Sequence, residues 1–309
     1  MDSRNRGPEL DVLVLGDSPG HAAAVRAARG CRLLGMIPDP SPRDDRIGRA
    51  DAVVVASPLV SRGGLIRRAL ESGKPVLSAA LLDEDEGEAR DLCDLADGLG
   101  VRLAASLPHR FEVPIRDFLG LSRDGRIGRV EGLRIEIGVG PGRPMLTACD
   151  LARLVLGEVT SCSSQAGFAL LRNRERAAAE VRAVVGDPAP VLDVLGTEGY
   201  LRLTTGRWRL SGRIRGGGRI RGRYRGTRIA DRWSGWTRGC PAALIREIEA
   251  FARPERSPWL ASGWDACRIG EIVAALAPSA WLDQEIPLRP LPARTPSARR
   301  GTSVRERNG

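Results

Sequence analysis

ADAVVVASPLVSRGGLIRRALESGKPVLSAALLDEDEGEARDLCDLADGLGVRLAAS, residues 50–106, alternates two patterns. Short apolar runs rich in β-branched residues (AVVVAS, PVLS, VRLAAS) are separated by amphipathic stretches of helical period (LIRRALES, EARDLCDLADGL). Strands recurring with helices between them read as parallel β-α-β units in an open sheet. Upstream, DVLVLGDSPGHAAAVRAARG (11–30) reads as strand, tight turn and helix, and RLLGMIPD (32–39) as a second strand. Only about fourteen residues then lead to the third strand, near the minimum for a crossover, so the second helix is expected to be short or absent.

The chain has 309 residues, enough for two domains and a large core. Its net charge of +10 is unevenly placed: residues 207–238 carry eleven Arg against one Asp, and residues 289–309 six Arg against one Glu, so the remainder is net acidic. Lysine occurs once, as Lys74, and the arginine skew reads first as genome composition. The six cysteines form no C-x-x-C pair, which argues against a zinc site or any other metal and for buried thiols in a reducing compartment. No apolar run approaches the roughly 18 residues needed to cross a bilayer, and MDSRNRGPEL lacks a signal-like apolar segment. The expectation is a cytoplasmic protein without membrane contact.

Residues 51–81 are similar, without gaps, to the line D-A-V-x-V-A-T-P-x-x-x-H-x-E-L-A-x-x-A-L-x-A-G-K-x-V-L-x-E-K-P of the glucose-fructose oxidoreductase and inositol dehydrogenase family, Gfo/Idh/MocA. SLPHRFEVP (106–114) resembles the family's N-x-R-F-x-P, with Arg110 and Phe111 matching. GRIGRVEGL (125–133), MLTACDLARLVLGE (145–158) and GTEGYLRL (196–203) resemble later family segments, and CPAALIREIEAFA (240–252) and WDACRIGEIVAALAPSA (264–280) its closing helices, the last expected to stop at Pro278. The resemblance spans residues 11–288. It implies an α/β protein: a Rossmann-like parallel sheet over residues 11–122 that binds NAD or NADP, and an α+β domain over 123–288 with an open, mostly antiparallel sheet through which the chain forms a homodimer or higher oligomer. Residues 1–10 and the basic tail 289–309 are expected to be disordered.

For the cofactor, the resemblance points to Gly16, Ser18 and Gly20 in the first turn, Asp39 after the second strand, and Ser57 and Pro58 after the third. The turn departs from the pattern and reads as a degraded phosphate loop, which sets the residues against the NAD or NADP binding that the resemblance implies. Ser18 holds the second-glycine position, Pro19 has no N–H, Asp17 adds negative charge, and His21 follows Gly16 by five residues where the family takes eight. The family's lysine falls on Ala80, its active-site histidine on Thr147, and Arg62 stands where it usually has histidine. Lys74 precedes a strand, at the sheet edge opposite the one where such sites assemble. The remaining candidates are His109 as base and Asp150 to orient it, with Arg110 and Thr147 as substrate contacts; the plainer reading is a loop histidine and a helix carboxylate held by an arginine.

Together these departures point to an oxidoreductase homologue with weak or lost activity, kept as a binding or assembly scaffold. One alternative is an active NAD(P)-dependent sugar or polyol oxidoreductase using His109. Another is polyanion or nucleic-acid binding through Arg213, Arg215, Arg219, Arg221, Arg223 and Arg225, with Trp208, Trp233 and Trp236 nearby. Period two puts those arginines on one strand face, and a solvated edge strand is the favoured reading of them. No particular substrate is indicated.

Overall fold

A computed structural model describes residues 9–41, 43–79, 81–138, 144–165, 168–184, 191–204, 208–223, 241–253, 257–282 and 284–291. The first sheet is built from β1 (Leu10–Leu15), β2 (Cys31–Ile37), β3 (Ala52–Val55), β4 (Val76–Ala79) and β5 (Leu103–Ser106). These strands run parallel in the order β5-β4-β3-β1-β2. Residues Val12 to Leu15 and Ala52 to Val55 are buried on both faces, as the unbroken apolar runs require. Helices α1 (Pro19–Ala27), α2 (Arg46–Arg49), α3 (Leu59–Glu71) and α4 (Glu86–Leu99) make the crossovers, and α2 is a single turn, as the short connection demands. The α4 ends follow capping chemistry: the Glu88 N–H donates to the Asp85 side chain at 2.9 Å, and Gly100 closes the helix at φ 64°. Strand order reverses between β3 and β1, so the crevice beyond their carboxyl ends is where an open α/β sheet takes ligands.

After α5 (Val113–Arg123) comes the second sheet: β6 (Val130–Gly138), α6 (Pro144–Leu156), β7 (Val159–Gln165), β8 (Phe168–Asn173), β9 (Ala178–Val184), β10 (Val191–Gly196), β11 (Gly199–Thr204), β12 (Arg209–Arg213) and β13 (Arg219–Arg223). The chain ends in α7 (Pro241–Ala252), β14 (Ala261–Ser262), α8 (Gly263–Leu282) and β15 (Ile286–Pro287). The sheet order is β13-β12-β11-β10-β6-β9-β8-β7-β15, antiparallel except for β6 with β9. Leu133, Ile135 and Ile137 alternate with Arg134 and Glu136: the apolar set packs with Cys149 and Ala152 of α6 and Ile272 of α8, and the polar set lies on the open face.

Residues 241–253 and 257–262 return to the first sheet. Leu244, Ile248 and Phe251 of α7 pack with Val12, Val14, Ala22 and Val25, and β14 pairs antiparallel with β5. α7 and β14, which fall within the expected range 123–288 of the second domain, thus pack on the first sheet. α8 runs on through Pro278 to Leu282, past the expected stop, because proline removes one i−4 bond and the remaining turn persists. Cys31, Cys93, Cys149, Cys162 and Cys267 are free and buried, as expected. Residues 1–8, Ala80, residues 139–143, Arg225, Trp233, Trp236, Cys240 and the tail from 292 lie outside the described residues. Among those described, no helix is long and apolar enough to cross a membrane.

The arginine segment forms a hairpin at one sheet edge, Arg209 pairing with Arg223 and Arg213 with Arg219. Arg209, Arg213, Arg219 and Arg221 are exposed while Leu210 and Gly212 are buried, so period two holds. Arg215 lies in the connecting 3₁₀ turn, outside the strand register, and pairs with Glu198 at 2.8 Å. Trp208 is buried rather than part of that face, at 2 % exposure.

Candidate functional site

The turn from β1 to α1 is three residues long. Gly16 sits at φ +107°, and a Cβ there would collide with the backbone of Ala56 and Ser57, so only glycine lets this turn lie against the end of β3. The Gly16 N–H donates to the Ile37 carbonyl at 2.8 Å, which brings the end of β2, and exposed Asp39 just beyond it, beside the turn. Ser57 is 2 % exposed and its Oγ has no partner, while Pro58 is exposed and opens α3. Around Gly20 a Cβ would meet nothing within 4 Å, so the first turn of α1 faces open space. Gly16, Ser18, Gly20 and Ser57 thus share one crevice edge.

Arg62 of α3 closes another part of that edge. Its guanidinium donates to the carbonyls of Ala79 at 2.6 Å, Leu81 at 2.7 Å and Ser57 at 2.6 Å, and it is 5 % exposed. It therefore ties the end of β4 to the end of β3, beside the segment where the resemblance puts a lysine. In the sequence Arg62 stands out as a departure from the family line; the stronger signal is its place on the apolar stripe with Leu65, Ile66, Ala69 and Leu70.

His109 and Arg110, in a 3₁₀ turn after β5, meet Asp150 of α6. His109 Nε2 lies 2.7 Å from Asp150 Oδ2, and Arg110 donates Nε–H to the same oxygen at 2.8 Å and Nη2–H to Oδ1. Burial alone would raise the Asp150 carboxyl, but Arg110 and His109 outweigh it and hold it well below the usual carboxylate range. An ionised carboxylate only accepts, so Nε2 of His109 carries the hydrogen and donates it to Asp150. Thr147 is buried one turn before Asp150 on α6. Asp265 joins the cluster 3.7 Å from Arg110 and 3.1 Å from Arg153. The expected catalytic pair and Arg110 are brought together here; Lys74 lies before β4, at the opposite sheet edge, as expected.

A second polar chain was not legible beforehand. Glu247 of α7 is 0 % exposed; its Oε1 accepts from the Leu107 N–H and its Oε2 lies 2.6 Å from Ser106 Oγ, both at 2.6 Å. Ser106 Oγ lies 3.4 Å from His21 Nε2, and His21 Nδ1 lies 2.7 Å from Ser18 Oγ. Burial pushes Glu247 up to about 8, against the pull of Ser106, Leu107 and Arg110. Burial, with Arg62 nearby, pushes His21 down to about 4. Counting six positions from Gly16 places His21 where G-x-G-x-x-G has its third glycine, which serves close helix–strand packing; here an imidazole fills that space.

No protein-family model matches the chain, and no curated protein matches it. Solved structures do. An oxidoreductase from Agrobacterium radiobacter in complex with NAD+, L-tartaric acid and magnesium is similar at 16% identity and TM-score 0.78, over 90% of this chain and 98% of its own. A putative myo-inositol dehydrogenase from Sinorhizobium meliloti 1021 is similar at 20% identity and TM-score 0.72, over 91% and 100%. Scyllo-inositol dehydrogenase from Lactobacillus casei, with NAD(H) and scyllo-inositol, is similar at 15% identity and TM-score 0.71, over 90% and 99%.

The fold is that of the Gfo/Idh/MocA oxidoreductases.

In this Gfo/Idh/MocA-fold chain the turn, despite those departures, presents a glycine where nothing larger fits, an orphaned buried hydroxyl on Ser57, and first-turn N–H groups of α1 that have no i−4 carbonyl. Asp17 is exposed and Pro19 occupies the first helical position, where its missing N–H costs least. The residues present fit the group. Among the described residues, no three His, Cys, Asp or Glu side chains are grouped to hold a metal ion.

Proposed function

We propose that this chain is an oxidoreductase homologue that holds NAD or NADP at the β1–α1 turn, transfers hydride weakly or not at all, and serves as a binding or assembly scaffold. Gly16, Ser18, Gly20 and Ser57 would hold the dinucleotide, with Asp39 beside the turn. The bound nicotinamide supplies a hydride acceptor. Oxidising an alcohol also requires a base within hydrogen-bond reach of the hydroxyl. The observation behind the reading is Arg62, whose buried guanidinium spans the ends of β3 and β4 on three carbonyls and cannot accept a proton.

The His109–Asp150 contact of 2.7 Å favours a second reading, an active sugar or polyol oxidoreductase with His109 as base. Against it, His109 is 4 % exposed and Asp150 is shared with Arg110. The assay is nicotinamide absorbance with NAD+ and NADP+ across sugars, polyols and sugar nucleotides. The proposal predicts no turnover above a trace. Turnover at an ordinary rate, about 1 s⁻¹ or more, that disappears in His109→Ala while the fold persists would establish the second reading instead.

The open face of the second sheet supports the assembly part of the proposal. Leu195 and Tyr200, 56 % and 50 % exposed, lie there with Arg134, Asp193 and Arg202, a mixed surface suited to a second copy of this chain. The exposed arginines of β12 and β13 favour a weaker polyanion reading, tested by salt-dependent retention on heparin.

A further inference from the structure

We propose that Glu247, Ser106, His21 and Ser18 form a hydrogen-bond relay, running from a buried end to the partly exposed β1–α1 turn, whose polarity Glu247 sets and that turn reads: Ser18 offers a donor to an anion when Glu247 is an acid, and a lone pair when it is a carboxylate. The ligand half of this inference rests on the dinucleotide reading above.

The links are 2.6 Å from Glu247 Oε2 to Ser106 Oγ, 3.4 Å from Ser106 Oγ to His21 Nε2, and 2.7 Å from His21 Nδ1 to Ser18 Oγ. Hydroxyls and a neutral imidazole each donate and accept, so the chain has two self-consistent directions. With Glu247 protonated, its O–H donates to Ser106, the Ser106 O–H to His21 Nε2, and the His21 Nδ1–H to Ser18, whose own hydrogen points into the turn. With Glu247 ionised, Ser106 donates to Glu247, His21 Nε2–H donates to Ser106, and Ser18 donates to His21 Nδ1. Going from the first state to the second, each proton moves one link toward Ser18 and one leaves from Ser18 to solvent. Glu247 is fully buried, whereas Ser18 is partly exposed, so the relay gives that proton a route out.

The groups facing the relay fit this behaviour. Around Glu247 stand the Leu107 N–H after β5, Arg110 of the 3₁₀ turn and Asp150 of α6; Arg62 of α3 faces His21. Burial raises Glu247 to about 8 and lowers His21 to about 4, so the imidazole stays neutral while Glu247 titrates and changes tautomer, not charge. A phosphoryl oxygen only accepts hydrogen bonds, so it is favoured by the first state and repelled by lone pairs in the second.

The chain has two histidines, so ¹⁵N-histidine NMR on the full protein reads His21 directly, with His109→Gln assigning the other. From about pH 6.5 to about pH 9.5, His21 should pass from the Nδ1–H to the Nε2–H tautomer in wild type. Glu247→Gln, whose amide donates permanently to Ser106, should hold Nδ1–H throughout. Ser106→Ala, which cuts the chain without touching α7, should also abolish the dependence. A single His21 tautomer across that range in wild type, or a switch surviving in Glu247→Gln, overturns the relay. NADH and inorganic pyrophosphate affinities should fall about tenfold over the same range in wild type and stay flat in Glu247→Gln. Binding that ignores pH while the tautomer switches overturns the readout at the turn. If neither binds while the tautomer switches, the dinucleotide reading fails and the relay stands.

Discussion

Asp150 and Glu247 are both buried carboxylates, and their neighbours drive them in opposite directions. Asp150 has Arg110 and His109 on its oxygens and stays ionised; Glu247 has a hydroxyl and one N–H, and burial dominates. Asp150→Asn leaves the Arg110 guanidinium buried beside a neutral group, and should lower stability by about 3–5 kcal/mol in denaturant unfolding. For Glu247 the folded state binds the proton more tightly than the unfolded chain, so between about 4.5 and about 8 folding takes up a proton. Its contribution is therefore complete below that window and shrinks as pH rises through it, by about 1.4 kcal/mol per pH unit. Glu247→Gln should match wild type near the acid end and gain relative Tm toward the alkaline end; parallel profiles would contradict this. Such residues were partly legible. Arg62 and Glu247 each stand on an apolar stripe at helical spacing, Glu247 with Ala243, Leu244, Ile248 and Phe251, which marks a buried polar group without naming its partner. The partners of Glu247, Ser106 and Leu107, come from 141 and 140 positions away, beyond any local pattern.

Elements followed their periodicity where the pattern was long and strayed where a contact decided. The strands of the first sheet and the single-turn α2 were readable from β-branched runs and connection length. The hairpin of β12 and β13 kept its arginines on one face, but Arg215 left the register because Gly216 at φ 76° turns the chain there. At the β1–α1 turn, Gly16→Ala should lower stability by about 1–3 kcal/mol, since φ and the backbone of Ala56 and Ser57 both exclude a side chain. Arg62→Ala would take the guanidinium from the Ser57 and Ala79 carbonyls and leave Leu81 with the Ser78 hydroxyl, and should cost about 2–4 kcal/mol by urea unfolding. Wild-type stability in that variant would show that water replaces the guanidinium freely.

Across the whole molecule, α7 and β14 bind the last third of the chain back onto the first sheet, and α8 joins the two sheets. A two-residue strand such as β14 leaves no periodic signal, so this return could not be read from the sequence. The return matters for function because it brings Glu247 to the carboxyl end of β5. The open face of the second sheet makes a separate prediction: if it carries the assembly, Leu195→Glu with Tyr200→Glu should shift the protein to monomer by light scattering with little change in Tm, and an unchanged mass would place assembly elsewhere. Dinucleotide binding at the β1–α1 turn is tested by titrating the purified protein with NADH and NADPH, followed by nicotinamide fluorescence and ligand-dependent Tm. Saturable binding and a rising Tm are expected for at least one of the two. No fluorescence change and no stabilisation at millimolar dinucleotide would contradict it.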